Sequence, residues 1–161
     1  MFADEFTGFE VTSALYGEHG PEKNGKNPIW WEAPMTYTVW FQGNAAFGIG
    51  LEFCNNRIDI RQLQGVRGIR TPEELKNWPP RLVRTCIRFA EANDMAEVRL
   101  YRADQGIFFK YPLVEHRKPG LTWEETRELV QQNMRLRYDG TARRIGMIMT
   151  KKYGFWKNSN N

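Results

Sequence analysis

Cysteine and histidine are scarce in this chain. Two cysteines, Cys54 and Cys86, and two histidines, His19 and His116, stand far apart among 161 residues. No pair of them has metal-ligand spacing, so no metal site is expected. The cysteines read as small buried apolar residues in a reducing compartment, which places the protein in the cytoplasm. A disulfide between them is the alternative. Also missing is any apolar run near the roughly 20 residues of a membrane-spanning helix. The start, Met1-Phe2-Ala3-Asp4-Glu5, is acidic and lacks the basic and apolar regions of a signal peptide, so none is expected. There is no serine-nucleophile motif, no P-loop and no dinucleotide fingerprint. Repeats and low-complexity tracts are absent too, and the expectation is one domain over residues 1–161.

Hydrophobic residues make up 41% and charged residues 26%, which excludes a disordered or fibrous chain. The net charge of +4 is compatible with a nucleic-acid partner and equally with a solvated basic face. Residues 17–34 carry Gly17, Gly20, Pro21, Gly25, Pro28 and Pro34. They read as a long loop, either a functional surface or a plain connection.

Strand patterns follow. Met35–Gln42 alternates, with Tyr37, Val39 and Phe41 against Thr36, Thr38 and Trp40. After a Gly43-Asn44 turn comes 47–54, with Ile49, Leu51 and Phe53 on one face. After Asn55-Asn56 comes 57–63, with Ile58, Ile60 and Gln62 against Arg57, Asp59, Arg61 and Leu63. Tight turns between alternating runs predict an antiparallel meander. The period then lengthens. Thr71-Pro72-Glu73-Glu74 opens a short helical segment, and Pro79-Pro80 opens a longer helix. There Leu82, Val83, Cys86, Ile87, Phe89 and Ala90 form an apolar stripe opposite Arg81, Arg84 and Arg88. A strand at 96–103 follows, so 57–63 and 96–103 should pair in parallel around the helix. Thr122-Trp123-Glu124-Glu125 is a capping box for a helix to about Arg137. A helical turn at 141–145 stops at Gly146, and 147–150 with 153–156 read as a final extended pair. The fold class is α/β, with a mixed sheet.

This order, a meander, a glycine-containing loop, a helix, a parallel strand, a helix, a glycine and a strand, resembles the GCN5-related N-acetyltransferase superfamily. In that family acyl-coenzyme A lies beside the fourth strand. A Gln/Arg-x-x-Gly-x-Gly/Ala loop there holds the pyrophosphate on backbone amides at a helix N-terminus. The corresponding stretch is Gln62-Leu63-Gln64-Gly65-Val66-Arg67-Gly68-Ile69-Arg70, with Arg67 where the family has Gly or Ala. The resemblance implies cofactor contacts from Gln62, Gln64, Gly65, Val66, Arg67, Gly68 and Arg70. The second similar stretch is Tyr138 to Met147. A family tyrosine that protonates the leaving thiolate falls at Ala142 here, and Tyr138 lies one turn earlier. The family's first two helices have no counterpart in the loop at 17–34, and 104–137 is an added segment.

What this implies is an acyltransferase that moves an acyl group, such as acetyl, from coenzyme A to the amine of a small molecule or protein. Tyr138 or Glu52 would handle the protons. The loop at 62–70 reads equally as an ordinary strand-to-helix turn, with Glu73 and Glu74 already answering the helix dipole. The other reading is a non-catalytic binding module on the same scaffold. It would hold nucleic acid or an acidic protein through Arg81, Arg84 and Arg88, with Trp30 and Trp31 for stacking. His116 has no partner at a fixed spacing and reads as a surface residue.

Overall fold

A computed structural model describes residues 1–15, 33–66, 73–111, 119–150 and 155–158. Several expectations fall outside these residues: the loop at 17–34 up to residue 32, Trp30, Trp31, Arg67, Gly68, Arg70, the Thr71-Pro72 helix start, His19 and His116.

Seven strands form one mixed sheet in the order β1-β2-β3-β4-β5-β7-β6. The meander is β2 (Met35–Phe41), β3 (Asn44–Cys54) and β4 (Arg57–Gly65), preceded by β1 (Glu10–Leu15). β1 pairs antiparallel with β2, from Glu10↔Trp40 to Leu15↔Met35. The turn between β2 and β3 has positive φ at Gln42 (50°) and Gly43 (75°), the pair of angles that suits a two-residue hairpin. It therefore falls one residue earlier than the Gly43-Asn44 signal suggested. Helix α1 (Trp78–Ala92) crosses over to β5 (Glu97–Tyr101). β5 runs parallel to β4, from Arg57↔Glu97 to Ile60↔Leu100, as the strand-helix-strand pattern predicted.

One register detail corrects the alternation. Gly50 faces Gln62, but Leu51 faces Ile60, so Arg61 is an extra residue in a β-bulge. A bulge flips the face of everything after it. Leu63 therefore joins Ile58 and Ile60 in the core, although strict alternation put it with Arg57, Asp59 and Arg61. Gln62 goes to the opposite face, where a Cβ on Gly50 would come within 3.0 Å of the Gln62 Cβ and 2.7 Å of the Ala33 Cβ.

α1 buries Leu82, Val83, Cys86 and Ala90 against Ile49, Leu51, Ile58, Ile60, Val98 and Leu100. Each leucine, isoleucine or valine among them is worth about 1.5–3 kcal/mol of burial. Ile87 and Phe89, expected in that stripe, pack only at its margin, with Phe89 edge-on to the exposed Phe53 at 6.4 Å. The N-terminal segment fills the same layer. Phe2 and Phe6 are fully buried, and Phe6 meets Phe47 edge-on at 5.5 Å.

After the one-turn helix α2 (Ile107–Lys110) comes α3 (Trp123–Arg137). It begins at the predicted capping box: Thr122 Oγ1 accepts from the Glu125 amide (3.2 Å), and Glu125 Oε2 accepts from the Thr122 amide (2.7 Å). Of its residues only Thr126 is buried; Leu129, Val130 and Met134 are half-buried, and Leu136 is 67% exposed. α4 (Asp139–Arg144) ends at Gly146, whose φ is 79°. The Gly146 and Met147 amides donate to the Arg143 and Ala142 carbonyls, as in a glycine-terminated helix. β6 (Ile148–Met149) and β7 (Phe155–Lys157) close the sheet, with β7 inserted between β5 and β6. Among the described residues no helix is long and apolar enough to cross a membrane.

Candidate functional site

The two parallel strands part company. Their pairing ends at Ile60↔Leu100. β5 carries on against β7, through Arg99↔Lys157 to Tyr101↔Phe155, while β4 runs on to Gly65 against β3 alone among the described residues. Backbone groups alternate in direction along a strand. The Val66 amide donates back to the Ala46 carbonyl (2.8 Å), so Leu63 and Gly65 point their N–H and C=O the other way, into the gap.

Tyr138, at the junction of α3 and α4, stands in that gap. It is 7% exposed, and its hydroxyl oxygen accepts a hydrogen bond from the Leu63 amide (2.8 Å). The Arg137 guanidinium reaches the Leu63 carbonyl at 3.5 Å and lies 5.8 Å from the centroid of the Trp78 ring. Trp78 is stacked on Phe47, 4.8 Å away with the rings 7° from parallel. Gly65 is pressed against this group: a Cβ there would lie 3.2 Å from Trp78 Cζ2 and 3.9 Å from Arg137 Nη2. A side chain there would press on Trp78 whether or not a phosphate approaches. Burial holds the Arg137 pKa below its ordinary value, and the neighbouring Tyr138 offsets part of that. Across the same corner, Arg144 Nη1 donates to Asn77 Oδ1 (2.7 Å).

The start of α1 is a poor anion site in its own right. Pro79 and Pro80 fill its first turn and bring no N–H groups, so the orphan amides that bind phosphate at other helix starts are mostly missing. Any phosphate held beyond β4 needs the amides of the loop at 67–72, outside the described residues, or side-chain cations.

The remaining sequence candidates lie elsewhere. Gln62 is buried, and its Nε2 donates to Gln64 Oε1 (2.6 Å) on the face away from α1. Val66 packs with Trp40 and Ala45 in a small separate cluster. Glu52 accepts from Arg61 Nη1 (2.9 Å). It is paired with Asp59, four residues back along β4 from Leu63, on the order of 13 Å away at strand rise. Glu52 and Tyr138, the two proton-handling candidates, are therefore not brought together. Glu52, Cys54 and Asp59 place ligand atoms within 4.8 Å of one another. Both carboxylates already face arginines, Arg61 and Arg57. Burial, then Glu52 and Asp59, push the Cys54 thiol up, away from the thiolate that a metal needs. This chemistry suits a salt-bridge cluster better than a metal centre.

The arginine stripe of α1 turns inward more than expected. Arg81 Nε donates to Glu5 Oε1 (3.0 Å) and its Nη2 to the Glu5 carbonyl (2.7 Å), while Arg88 pairs with the other Glu5 oxygen. Arg81 also covers the Phe6 ring at 4.7 Å. Arg84 alone of the three is exposed without an ion pair among the described residues. Sequence reasoning passed over Arg137, Arg144 and Trp78. The only local signal was the basic last turn of α3, which the helix dipole accounts for without any site.

No protein-family model matches the chain, and no curated protein matches its sequence. Among solved structures, the solution NMR structure of YhhK from E. coli, a candidate N-acetyl transferase bound to coenzyme A, overlays 94% of this chain and 98% of its own. The TM-score is 0.44 and the sequence identity 8%.

Proposed function

We propose that the protein is a diverged acyltransferase that binds acyl-coenzyme A along the side of β4 away from β3, next to Tyr138. The observation that carries this is the gap between β4 and β5 beyond Ile60↔Leu100, with the Leu63 and Gly65 backbone turned into it. An extended amide-bearing chain can pair with such a strand edge; the Leu63 amide and carbonyl already bond Tyr138 and Arg137, so the pairing falls to Gly65 unless those side chains move aside. A thioester lying there is within reach of the Tyr138 hydroxyl.

The reaction is direct transfer. The acceptor's amine nitrogen attacks the thioester carbonyl carbon and forms the amide bond as the C–S bond breaks. The amine gives up a proton to water, the departing sulfur takes one from the Tyr138 hydroxyl, and the Tyr138 phenolate regains its proton from water. Holding the two reactants in line supplies most of the rate. Glu52 has no part in this, because it lies on β3, the strand on the other side of β4 from the gap, and is paired with Arg61. The acceptor is an amine of a small molecule or a protein.

The test is a calorimetric titration with acetyl-coenzyme A, run beside native mass spectrometry. Binding is expected to move the Leu63 and Gly65 amide resonances more than those of the Asp59 region. No binding at millimolar cofactor, or shifts confined to the far face, would overturn the reading.

A further inference from the structure

Two arginines from different helices reach the adjacent residues Asn77 and Trp78, beside the end of β4. Arg137 closes α3 and Arg144 closes α4. Arg144 holds the Asn77 side chain, and Arg137 lies over the ring of the next residue, Trp78, beside Gly65. The other half-buried arginines among the described residues each have a carboxylate: Arg57 has Asp59, Arg81 has Glu5, Arg99 has Glu97 and Arg102 has Asp104. Arg137 is the exception, with no ion pair among the described residues. Arg144 has none there either, and its one hydrogen-bonding partner is neutral.

A guanidinium drawn partly out of water without a counter-charge is unfavourable. The same burial holds the Arg137 pKa below its ordinary value. The tyrosine hydroxyl, carbonyl and indole around it supply dipoles and a π-face but no negative charge. An anion would relieve the penalty, and Pro79 and Pro80 leave the helix start unable to do the work with backbone amides. The geometry points to a phosphate-binding corner in which the guanidinium groups of Arg137 and Arg144 together hold a diphosphate. In the function proposed above, on which this identification of the ligand rests, it is the coenzyme's pyrophosphate. Two planar forks present more donors than a single carboxylate can accept, whereas a diphosphate has oxygens for both.

The probe is inorganic pyrophosphate, titrated into the intact protein and into R137Q, R137K and R144Q, with coenzyme A titrated in parallel. Circular dichroism checks that each variant is folded. R144Q changes an exposed side chain and keeps the test valid if Arg137 variants unfold. Wild type should bind pyrophosphate more weakly as salt rises. R144Q and R137Q should each weaken binding roughly tenfold or more, the loss of a charge-assisted hydrogen bond. R137K should fall between, because it keeps the charge and loses the fork. No pyrophosphate binding by wild type, or equal binding by folded variants, overturns the corner. Arginine-dependent pyrophosphate binding without coenzyme A binding keeps the corner and removes the acyltransferase reading. Coenzyme A binding that is the same in wild type, R137Q and R144Q does the opposite.

Discussion

Replacing Tyr138 with Phe tests the heart of the site, because the substitution removes one atom and leaves the ring. The lost hydroxyl is the acceptor for the Leu63 amide. Leu63 is 1% exposed and Tyr138 is 7% exposed, so water is poorly placed to take over. No cavity forms, and the cost is that of an unsatisfied buried donor, about 1–3 kcal/mol. For a chain of this size each kcal/mol moves Tm by about 2–4 °C, so the expected fall is roughly 2–12 °C. Urea melts give the free energy, and amide hydrogen exchange at Leu63 locates it. If coenzyme A lies along β4, its own carbonyl groups can replace the missing acceptor. Saturating cofactor should then stabilise Tyr138→Phe by more than it stabilises wild type, even as the transfer rate falls. A stability loss under about 0.5 kcal/mol, with Leu63 exchange unchanged, would refute the argument that this hydrogen bond closes the strand edge.

Gly65→Val should cost about 1–3 kcal/mol by crowding Trp78, and shortening Trp78 to Leu in the same protein should recover part of it; strictly additive losses in a double-mutant cycle would show that the two do not touch. Burial raises the Glu5 carboxyl pKa, but the hydrogen bonds and charges of Arg81 and Arg88 outweigh it and leave the pKa below its ordinary value. The stability it contributes is therefore complete above the ordinary carboxylate range and disappears as pH falls through the lowered folded value. Phe2 and Phe6 amides should exchange faster below about pH 4, and Glu5→Gln should flatten that dependence. Thr126 carries a buried hydroxyl without a hydrogen-bond partner among the described residues, so Thr126→Val should raise stability by up to about 1 kcal/mol in denaturant melts.

Local patterns in the sequence were enough to place β2, β3, β4, α1, β5 and the start of α3. Each is announced by short-range chemistry: alternation, a proline pair, or a threonine and glutamate three residues apart. What escaped depends on contacts between distant residues. β1 is a strand because β2 lies beside it. The bulge at Arg61 leaves no mark in the alternation that it interrupts. Arg81 and Arg88 looked like a surface for a partner, yet their counter-charge sits 76 and 83 residues away in Glu5. The same holds for the site. Tyr138 was picked out by its place before a helix and a glycine, but its bond to Leu63 spans 75 residues, and nothing near Arg137 foretold that it has no acid beside it among the described residues.

The place of β7 has a consequence for how the chain is made. Its strand neighbours are β5 on one side and β6 on the other, and β5 is finished long before either. During synthesis the Arg99–Tyr101 edge, which β7 later covers, must wait while α2, α3 and α4 are produced. An unpaired strand edge is a template for pairing with other chains, and the risk grows with the time it stays open. A chain cut short before Phe155 would keep that edge permanently. Fragments of this kind should aggregate even though they retain α1 and the whole β2–β4 meander.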